Sequence, residues 1–212
     1  MLDHQEIELK WALTAQAHDL LLPRLVLELG PATVLRQVNR FFDTATLNLR
    51  AARMNLRIRQ ENERFVLTCK HRSPSAGATL IDGVADHREW EVELSPELAR
   101  GTSDPDHVPD QAWSAALPLP DAVRAALAGQ PLHALGGFAN CRHEFHTTRT
   151  GLSELLCLDR TDYEARIDHE LEIETADPLA TSAFWRTRLA AWNIPWQAQT
   201  LTKFARFLAQ GA

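Results

Sequence analysis

Alternation of polar and apolar residues, the period of a β-strand, dominates this chain. In residues 5–13, Glu6, Glu8 and Lys10 share one face of such a strand, and apolar residues share the other. Gln60 to Glu63 suits a hairpin turn between two further strands. The pattern predicts eight strands, at residues 5–13, 38–43, 54–60, 64–71, 87–94, 138–150, 152–160 and 164–175.

Helical signals are fewer. Thr14 is a candidate N-cap and Gly30 with Pro31 is a candidate stop, but Pro23 inside this segment implies a kink or a break. Helices are predicted at residues 14–29, 121–128, 178–192 and 202–209.

Two segments rich in Pro, Ser, Gly and Asp, residues 72–86 and 95–120, are predicted to be loops. Strands with the same charged pattern lie on both sides of each segment, so neither segment is interpreted as a linker between domains. We expect a single domain over residues 1–212.

The polar faces of the predicted strands carry charges of both signs, where a solvated sheet face is the ordinary explanation. Eight strands can close into a barrel, which removes the sheet edges. The charged faces would then line a channel, at a large cost unless the charges are paired or bind ligands. The expected fold is therefore α+β and mainly antiparallel β, an eight-stranded closed β tunnel barrel with a charged interior and several flanking helices.

Composition narrows the function further. The 212 residues include 22 basic and 28 acidic residues, and the formal net charge is −6. An acidic chain is a poor non-specific partner for nucleic acid, which is bound by releasing counterions with Lys and Arg. No apolar run is long enough to cross a membrane.

The cysteines and the N-terminus indicate a compartment. Three cysteines without a CxxC pair argue against a disulfide framework and favour a reducing compartment. Residues 1–6 have neither the basic nor the apolar region of a signal peptide, so we expect a cytoplasmic protein. The nine histidines show no HxxxH or HExxH spacing, which disfavours zinc.

Motifs in a fixed order resemble the CYTH, or triphosphate tunnel metalloenzyme, family. Glu6 to Lys10 is similar to the ExExK signature of that family, and the resemblance extends over about residues 5–206. The later matches, in order, are Phe41-Phe42-Asp43-Thr44, Met54-Asn55-Leu56-Arg57-Ile58-Arg59, Lys70, Glu89-Trp90-Glu91, Arg142, Asp159, Glu170-Leu171-Glu172 and Thr202-Lys203.

The resemblance implies Mg²⁺-dependent hydrolysis of inorganic triphosphate to pyrophosphate and phosphate. Two Mg²⁺ or Mn²⁺ ions per active site are expected with the substrate. An ExE pair places two carboxylates about 7 Å apart on one strand face, and Mg²⁺ prefers such oxygen ligands. The implied partner is a small-molecule triphosphate, with no nucleic acid and no membrane; the sequence leaves a monomer and a homodimer open.

The resemblance also implies roles for individual residues. Glu6, Glu8 and Lys10 are the expected catalytic residues, where the two glutamates hold a second metal and the attacking water. The expected metal ligands are Glu6, Glu8, Asp159, Glu170 and Glu172, the expected phosphate-binding cations are Lys10, Arg57, Arg59, Lys70, Arg142 and Lys203, and Glu89 and Glu91 are possible lining residues.

Some positions depart from the family pattern. Many members have Lys where this chain has Asn140, and an Arg near the fifth strand corresponds here to either His87 or Arg88. Arg206 is interpreted as either a surface residue or a cation at the tunnel end, and Trp11, Trp90 and Trp113 are expected to pack in the core.

Three other functions stay open. The first is a thiamine triphosphatase or nucleoside triphosphatase, which needs an aromatic platform for the organic group. The second, less favoured, is a class IV adenylate cyclase, because such cyclases carry His-Phe shortly before the ExExK and none precedes Glu6 here. The least favoured is a non-catalytic polyphosphate- or nucleotide-binding module, which would gain nothing from carboxylates that repel its ligand.

Overall fold

The structure, a computed structural model, describes residues 2–72, 83–103, 109–149 and 151–210. Nine strands and seven helices lie within these residues. In chain order they are β1 (Leu2–Leu13), α1 (Ala15–Leu29), β2 (Thr33–Asp43), α2 (Asn48–Ala51), β3 (Met54–Glu61), β4 (Arg64–Arg72), β5 (Val84–Leu94), α3 (Pro96–Ser103), α4 (Gln111–Ala116), α5 (Asp121–Leu127), β6 (His133–Arg149), β7 (Leu152–Asp162), β8 (Ile167–Thr175), α6 (Pro178–Ala191), β9 (Gln197–Ala198) and α7 (Lys203–Leu208).

The strands form one sheet in the order β5-β4-β3-β2-β6-β7-β8-β1-β9, and β5 also pairs with β1. Strands β1 to β8 thus close into the eight-stranded antiparallel barrel that the sequence predicts. The two-residue β9, which the sequence pattern does not indicate, pairs with β1 at Trp11 and Ala12 as an extra strand.

The described chain divides into two compact units. Residues 2–5, 37–72, 87–103 and 109–138 form the first unit, and residues 6–36, 83–86, 139–149 and 151–210 form the second. The prediction of one domain over the whole chain stays a prediction.

Each unit has an apolar core of its own. In the first unit, alternate residues of β3 and β4, such as Leu56 and Leu67, are buried with side chains from α2, α3 and α5. In the second unit, Leu158 of β7 and Leu171 of β8 are buried with side chains from α1 and α6. Since strand side chains alternate between faces, the neighbouring polar residues lie on the opposite face of each sheet segment.

The helices show where the sequence pattern was incomplete. Helix α1 continues through Pro23, so of the two predicted outcomes, a kink or a break, the break is wrong. The helix buries Leu21 and Leu25 in the core of the second unit, which offsets one missing hydrogen bond. The predicted loop at 95–120 contains α3 and α4, whereas most of the predicted loop at 72–86 lies outside the described residues. Among the described residues, no helix combines the length and the hydropathy that crossing a membrane requires.

A buried carboxylate fixes the end of β2. Asp43, 2 % exposed, accepts hydrogen bonds from the backbone N–H groups of Thr44 at 2.7 Å, Leu49 at 2.8 Å and Arg50 at 3.0 Å. Two of these donors belong to the four-residue helix α2, whose first residues have no intrahelical acceptors. The Phe-Phe-Asp-Thr motif therefore has a structural task here, because its aspartate holds the connection from β2 to β3.

Replacing Asp43 with alanine is expected to lower the free energy of unfolding by about 2–4 kcal/mol, because three backbone donors lose a charged acceptor. Asp177→Ala is the matched control, since that exposed N-cap accepts one hydrogen bond, from Ala180, and its loss costs about 1 kcal/mol. Urea denaturation of both variants measures the difference. Equal losses would show that Asp43 is an ordinary cap.

Candidate functional site

The polar face of the second unit gathers most of the predicted site residues. Strand register places Arg142 opposite Asp159, and Asp159 opposite Glu170, so these three residues form a row across β6, β7 and β8. On the other side of β8, Lys10 of β1 lies opposite Glu172. All five side chains are buried.

Three carboxylates form the centre of this face. Asp159, Glu170 and Glu172, named here the carboxylate cluster, have side-chain oxygens within 4.8 Å of one another. Their exposed fractions are 0 %, 1 % and 5 %. Three negative charges at this distance, away from water, repel one another strongly and require compensation.

Two residues of β6, Arg142 and Asn140, stabilise the negative charge of the carboxylate cluster. Arg142 binds Asp159 through two hydrogen bonds, Nε to Oδ1 at 2.9 Å and Nη2 to Oδ2 at 2.7 Å, and its Nη2 also lies 2.6 Å from Glu172. Asn140 donates to Asp159 Oδ1 at 3.0 Å and accepts from Thr161. The position that departs from the family pattern thus supports the aspartate with a neutral donor where a lysine would have added a charge.

Two lysines contact the same carboxylates. Lys203, the first residue of α7, lies 2.8 Å from Asp159 and 2.9 Å from Glu172, and also contacts Glu170. Lys10 lies 2.8 Å from Glu8 and donates a hydrogen bond to Glu172. Thr202 caps α7 by accepting from the N–H of Ala205 at 3.1 Å, which orients the helix so that Lys203 reaches the cluster.

Arg206 is the cation that the sequence left ambiguous between a surface and a site position. It is 5 % exposed, and its Nη2 lies 2.7 Å from Glu170 Oε2. Arg206 follows Lys203 by three residues in α7, a spacing that places both on one helix face. That spacing is the signal that assigns Arg206 to the site.

The ion pairs fix the protonation of these groups. Burial acts to raise the pKa of Asp159, but Arg142 and Lys203 outweigh it and lower this pKa to about 2. The pKa of Glu172 is held well below its usual range, because Lys10, Lys203 and Arg142 together outweigh burial. The same contacts raise the pKa values of Lys10 and Lys203 above their ordinary value despite burial. Asp159, Glu172, Lys10 and Lys203 are therefore ionised at neutral pH.

The other two predicted site residues of β1, Glu6 and Glu8, also belong to the second unit. Glu6 and Glu8 are 8 % and 3 % exposed, and their carboxylate oxygens lie within 4.8 Å of each other. With Lys10 they occupy alternate positions of β1, as the ExExK pattern predicts. The structure thus places Glu6, Glu8, Lys10, Arg142, Asp159, Glu170, Glu172 and Lys203 within the second unit.

The first unit has a charged face of its own, on β3, β4 and β5. Glu89 lies opposite Lys70 in the register and contacts its Nζ at 2.6 Å, while Arg57 approaches Glu89 at 3.4 Å. Glu91, two residues along β5, accepts from Thr68 at 3.0 Å. The side chains of Arg57 and Lys70 are 12 % and 20 % exposed, so each keeps some contact with solvent.

Arg59 is oriented by an asparagine on the neighbouring strand. Its Nε donates to Asn39 Oδ1 at 3.3 Å, and its Nη1 lies 3.5 Å from Glu61. The backbone of Asn39 lies very close to Gly137 of β6, since a Cβ on Gly137 would lie 1.8 Å from the Asn39 carbonyl oxygen. Only a residue without a side chain allows this close approach of the two backbones.

The structure decides between His87 and Arg88. His87 is 7 % exposed, and its Nε2 lies 2.8 Å from Lys70 Nζ, on the same face as Glu89. Arg88 points to the opposite side, where its exposed guanidinium forms two hydrogen bonds of 2.6 Å with Asp3. The fifth strand therefore contributes a histidine, not an arginine, to the charged face.

The three tryptophans in question pack in the cores, as predicted. Trp11 is 1 % exposed and stacks on Trp196 with ring centroids 4.6 Å apart. Trp90 belongs to the core of the first unit, and Trp113 packs against it beside Phe42. These rings are occupied by packing contacts.

Comparisons with known proteins place the chain in a family and identify solved structures with a similar fold. The chain matches the CYTH domain family over residues 4–207. A protein from Hippeastrum, named as a candidate adenylyl cyclase and described as having a dominant triphosphatase activity, is 30 % identical, with a TM-score of 0.78 over 97 % of this chain and 96 % of that chain.

Two more distant structures share the fold. A Bacillus halodurans protein named as a candidate adenylate cyclase is 22 % identical, with a TM-score of 0.67 over 98 % of this chain and 99 % of that chain. The protein PH1819 from Pyrococcus horikoshii is 15 % identical, with a TM-score of 0.53 over 97 % and 99 % of the two chains. A comparison with curated protein sequences gives no significant match.

The depressed pKa of Asp159 predicts a pH-dependent penalty for Asp159→Asn. The folded pKa of about 2 lies below the ordinary value of 3.8, so the ionised carboxylate stabilises the fold above about pH 4 and loses that effect as the pH falls towards 2. A protonated aspartate resembles asparagine, so the penalty should shrink by about 2 kcal/mol between pH 5 and pH 2.

Urea denaturation with EDTA at each pH measures that penalty. Asp121→Asn, at an exposed position in the first turn of α5, is the control and measures the effect of losing a carboxylate that is exposed to solvent. A penalty for Asp159→Asn that does not vary with pH would contradict the ion pairing described for this residue.

Proposed function

The chain belongs to the CYTH domain family, and from this premise we propose that it hydrolyses inorganic triphosphate to pyrophosphate and phosphate with Mg²⁺ or Mn²⁺. One observation carries the proposal, namely the buried carboxylate cluster surrounded by Lys10, Arg142, Lys203 and Arg206. The Hippeastrum relative, with its dominant triphosphatase activity, supports the same reaction class.

The donor chemistry of the carboxylate cluster suits a hard divalent cation. Asp159, Glu170 and Glu172 offer closely spaced carboxylate oxygens, the ligands that Mg²⁺ and Mn²⁺ prefer. Low pKa values keep Asp159 and Glu172 ionised and ready to bind metal at neutral pH. When bound, a divalent ion supplies Lewis-acid polarisation of the phosphoryl group.

The cations of the second unit would bind the phosphates. Lys10, Arg142 and Lys203 are held in place by the same carboxylates that would ligate metal. Once a bound metal ion neutralises those carboxylates, the ammonium and guanidinium groups would become available for phosphate oxygens. Triphosphate affinity should therefore depend on metal.

Glu6 and Glu8 would hold the second ion and position the attacking water. Both are buried acceptors on one strand face, and Lys10 beside them would stabilise the charge that develops on the leaving pyrophosphate. In the first unit, Arg57, Arg59 and Lys70 would contribute phosphate contacts, Glu89 would orient Arg57 and Lys70, and Glu91 would be a lining residue.

An organic triphosphate is the weaker candidate. A thiamine or nucleoside group needs an exposed aromatic face to stack on, and Trp11, Trp90 and Trp113 are engaged in their cores. Inorganic triphosphate needs only cations and metal; both charged faces supply cations, and the carboxylate cluster would hold the metal.

Glu8→Gln should abolish most of the turnover. With Mg²⁺ or Mn²⁺ we expect phosphate release from triphosphate to exceed that from thiamine triphosphate and ATP. We expect the variant to lower kcat by about 100-fold or more, because one of the two carboxylates that would hold the second ion and the attacking water loses its charge. Glu63→Gln, in the exposed turn between β3 and β4, is the matched control. No metal-dependent turnover of any of the three substrates would disprove the hydrolase, and cyclic AMP formed from ATP would indicate a cyclase.

Arg59→Ala should separate phosphate binding from metal binding. We expect triphosphate affinity to fall about tenfold, because a guanidinium contact is lost, while Mn²⁺ affinity stays nearly constant. Calorimetry in the Glu8→Gln background measures both without turnover, and Arg64→Ala, whose side chain is 62 % exposed and pairs with Glu93, is the control. Unchanged triphosphate affinity in Arg59→Ala would remove Arg59 from the site.

A further inference from the structure

A recess lies in the second unit, outside the carboxylate cluster. It has a volume of about 760 Å³ and lies where β1 ends, α1 begins and β8 begins, with Arg206 of α7 in its wall. That volume is within the range of ordinary small-molecule sites, about 300–1,000 Å³. We refer to it as the arginine cleft.

Three arginines line the arginine cleft, and they differ in their partners. Arg160 is exposed and forms no ion pair with any residue in the described part of the chain. Arg166 lies 3.4 Å from Asp168, which also lies 3.2 Å from Arg206. Asp19 is the other acidic residue of the wall, so the lining carries three positive and two negative charges, and Arg206 is also paired with Glu170 outside the lining.

Arg206 joins the arginine cleft to the carboxylate cluster. Its Nη2 binds Glu170, its Nε lies near Asp168 and the hydroxyl of Tyr163, and its Nη1 is shielded from water without a hydrogen-bond acceptor among the described residues. A buried guanidinium with an unsatisfied N–H group is an unfavourable arrangement. Arg206 therefore contacts both the cleft and Glu170, one of the proposed metal ligands.

Helix α1 adds positive potential at the same place. Thr14 and Ala15 line the cleft, and they form the N-terminal end of a helix of fifteen residues. The side chain of Thr14 caps the N–H of Ala17, while the first N–H groups of the helix have no intrahelical acceptor. A helix start of this kind favours anions, in addition to the arginines.

We propose that the arginine cleft is a second anion site, which binds a phosphate group next to the metal-dependent site. Arginines recognise phosphate through paired N–H groups. None of the lining residues is Phe, Tyr or Trp, and the one ring in the lining is the imidazole of His169. The choice of phosphate over other anions rests on the proposed function, in which the phosphate comes either from released pyrophosphate or from a chain longer than triphosphate.

Calorimetric titration with pyrophosphate in EDTA tests the site without the metal-dependent reaction. Wild type should bind, and Arg160→Ala should weaken binding about fivefold, the scale of one exposed charge contact. Arg24→Ala, which removes an exposed arginine from α1 outside the lining of the cleft, should change the affinity less than twofold. Thermal unfolding of both variants confirms that each is folded.

A second arm identifies the source of the phosphate. If the affinity for pyrophosphate depends on Arg160, the site binds the released product. If only the affinity for a longer linear polyphosphate depends on Arg160, the site binds the part of the chain that extends beyond triphosphate. Both results support the site. Equal responses of Arg160→Ala and Arg24→Ala to every ligand would overturn it. If triphosphate is not hydrolysed but binding still depends on Arg160, the proposed function fails and the anion site stands.

Discussion

The structure depends on the pairing of charges that are held out of water. On the polar face of the second unit, Glu6, Glu8 and the carboxylate cluster supply five negative charges, and Lys10, Arg142, Lys203 and Arg206 supply four positive charges. Any one of these groups alone would be costly to bury, and removing one leaves its partner uncompensated. The requirement for balance explains why β1, β6, β7, β8 and α7 all contribute to one small region.

This balance also explains how an acidic protein can be suited to a polyanion. The paired face is close to neutral, and a divalent ion bound by its carboxylates would shift it to positive. Each apolar core is packed on the opposite side of its own sheet segment, so the strands that present the charges are rigid. A preorganised set of charges loses little entropy when a ligand arrives.

The sequence predicted the parts of this arrangement that depend on strand period. Alternation located eight strands, and it assigned Glu6, Glu8 and Lys10 to one face correctly. It could not choose between His87 and Arg88, because a choice between neighbouring residues requires the register of β5 against β4. Helices α3 and α4 were missed because their segment is rich in turn-forming residues, and their packing against the first core outweighs that local preference.

Gly137 shows how a residue without chemistry of its own can control a charged side chain. The nearby carbonyl of Asn39 leaves no room for a methyl group, and the side chain of Asn39 orients Arg59. The distance between β2 and β6 therefore sets the direction of a guanidinium on β3. Among relatives, a larger residue at this position would signal a shifted strand and a redirected arginine, even where every charged motif is intact.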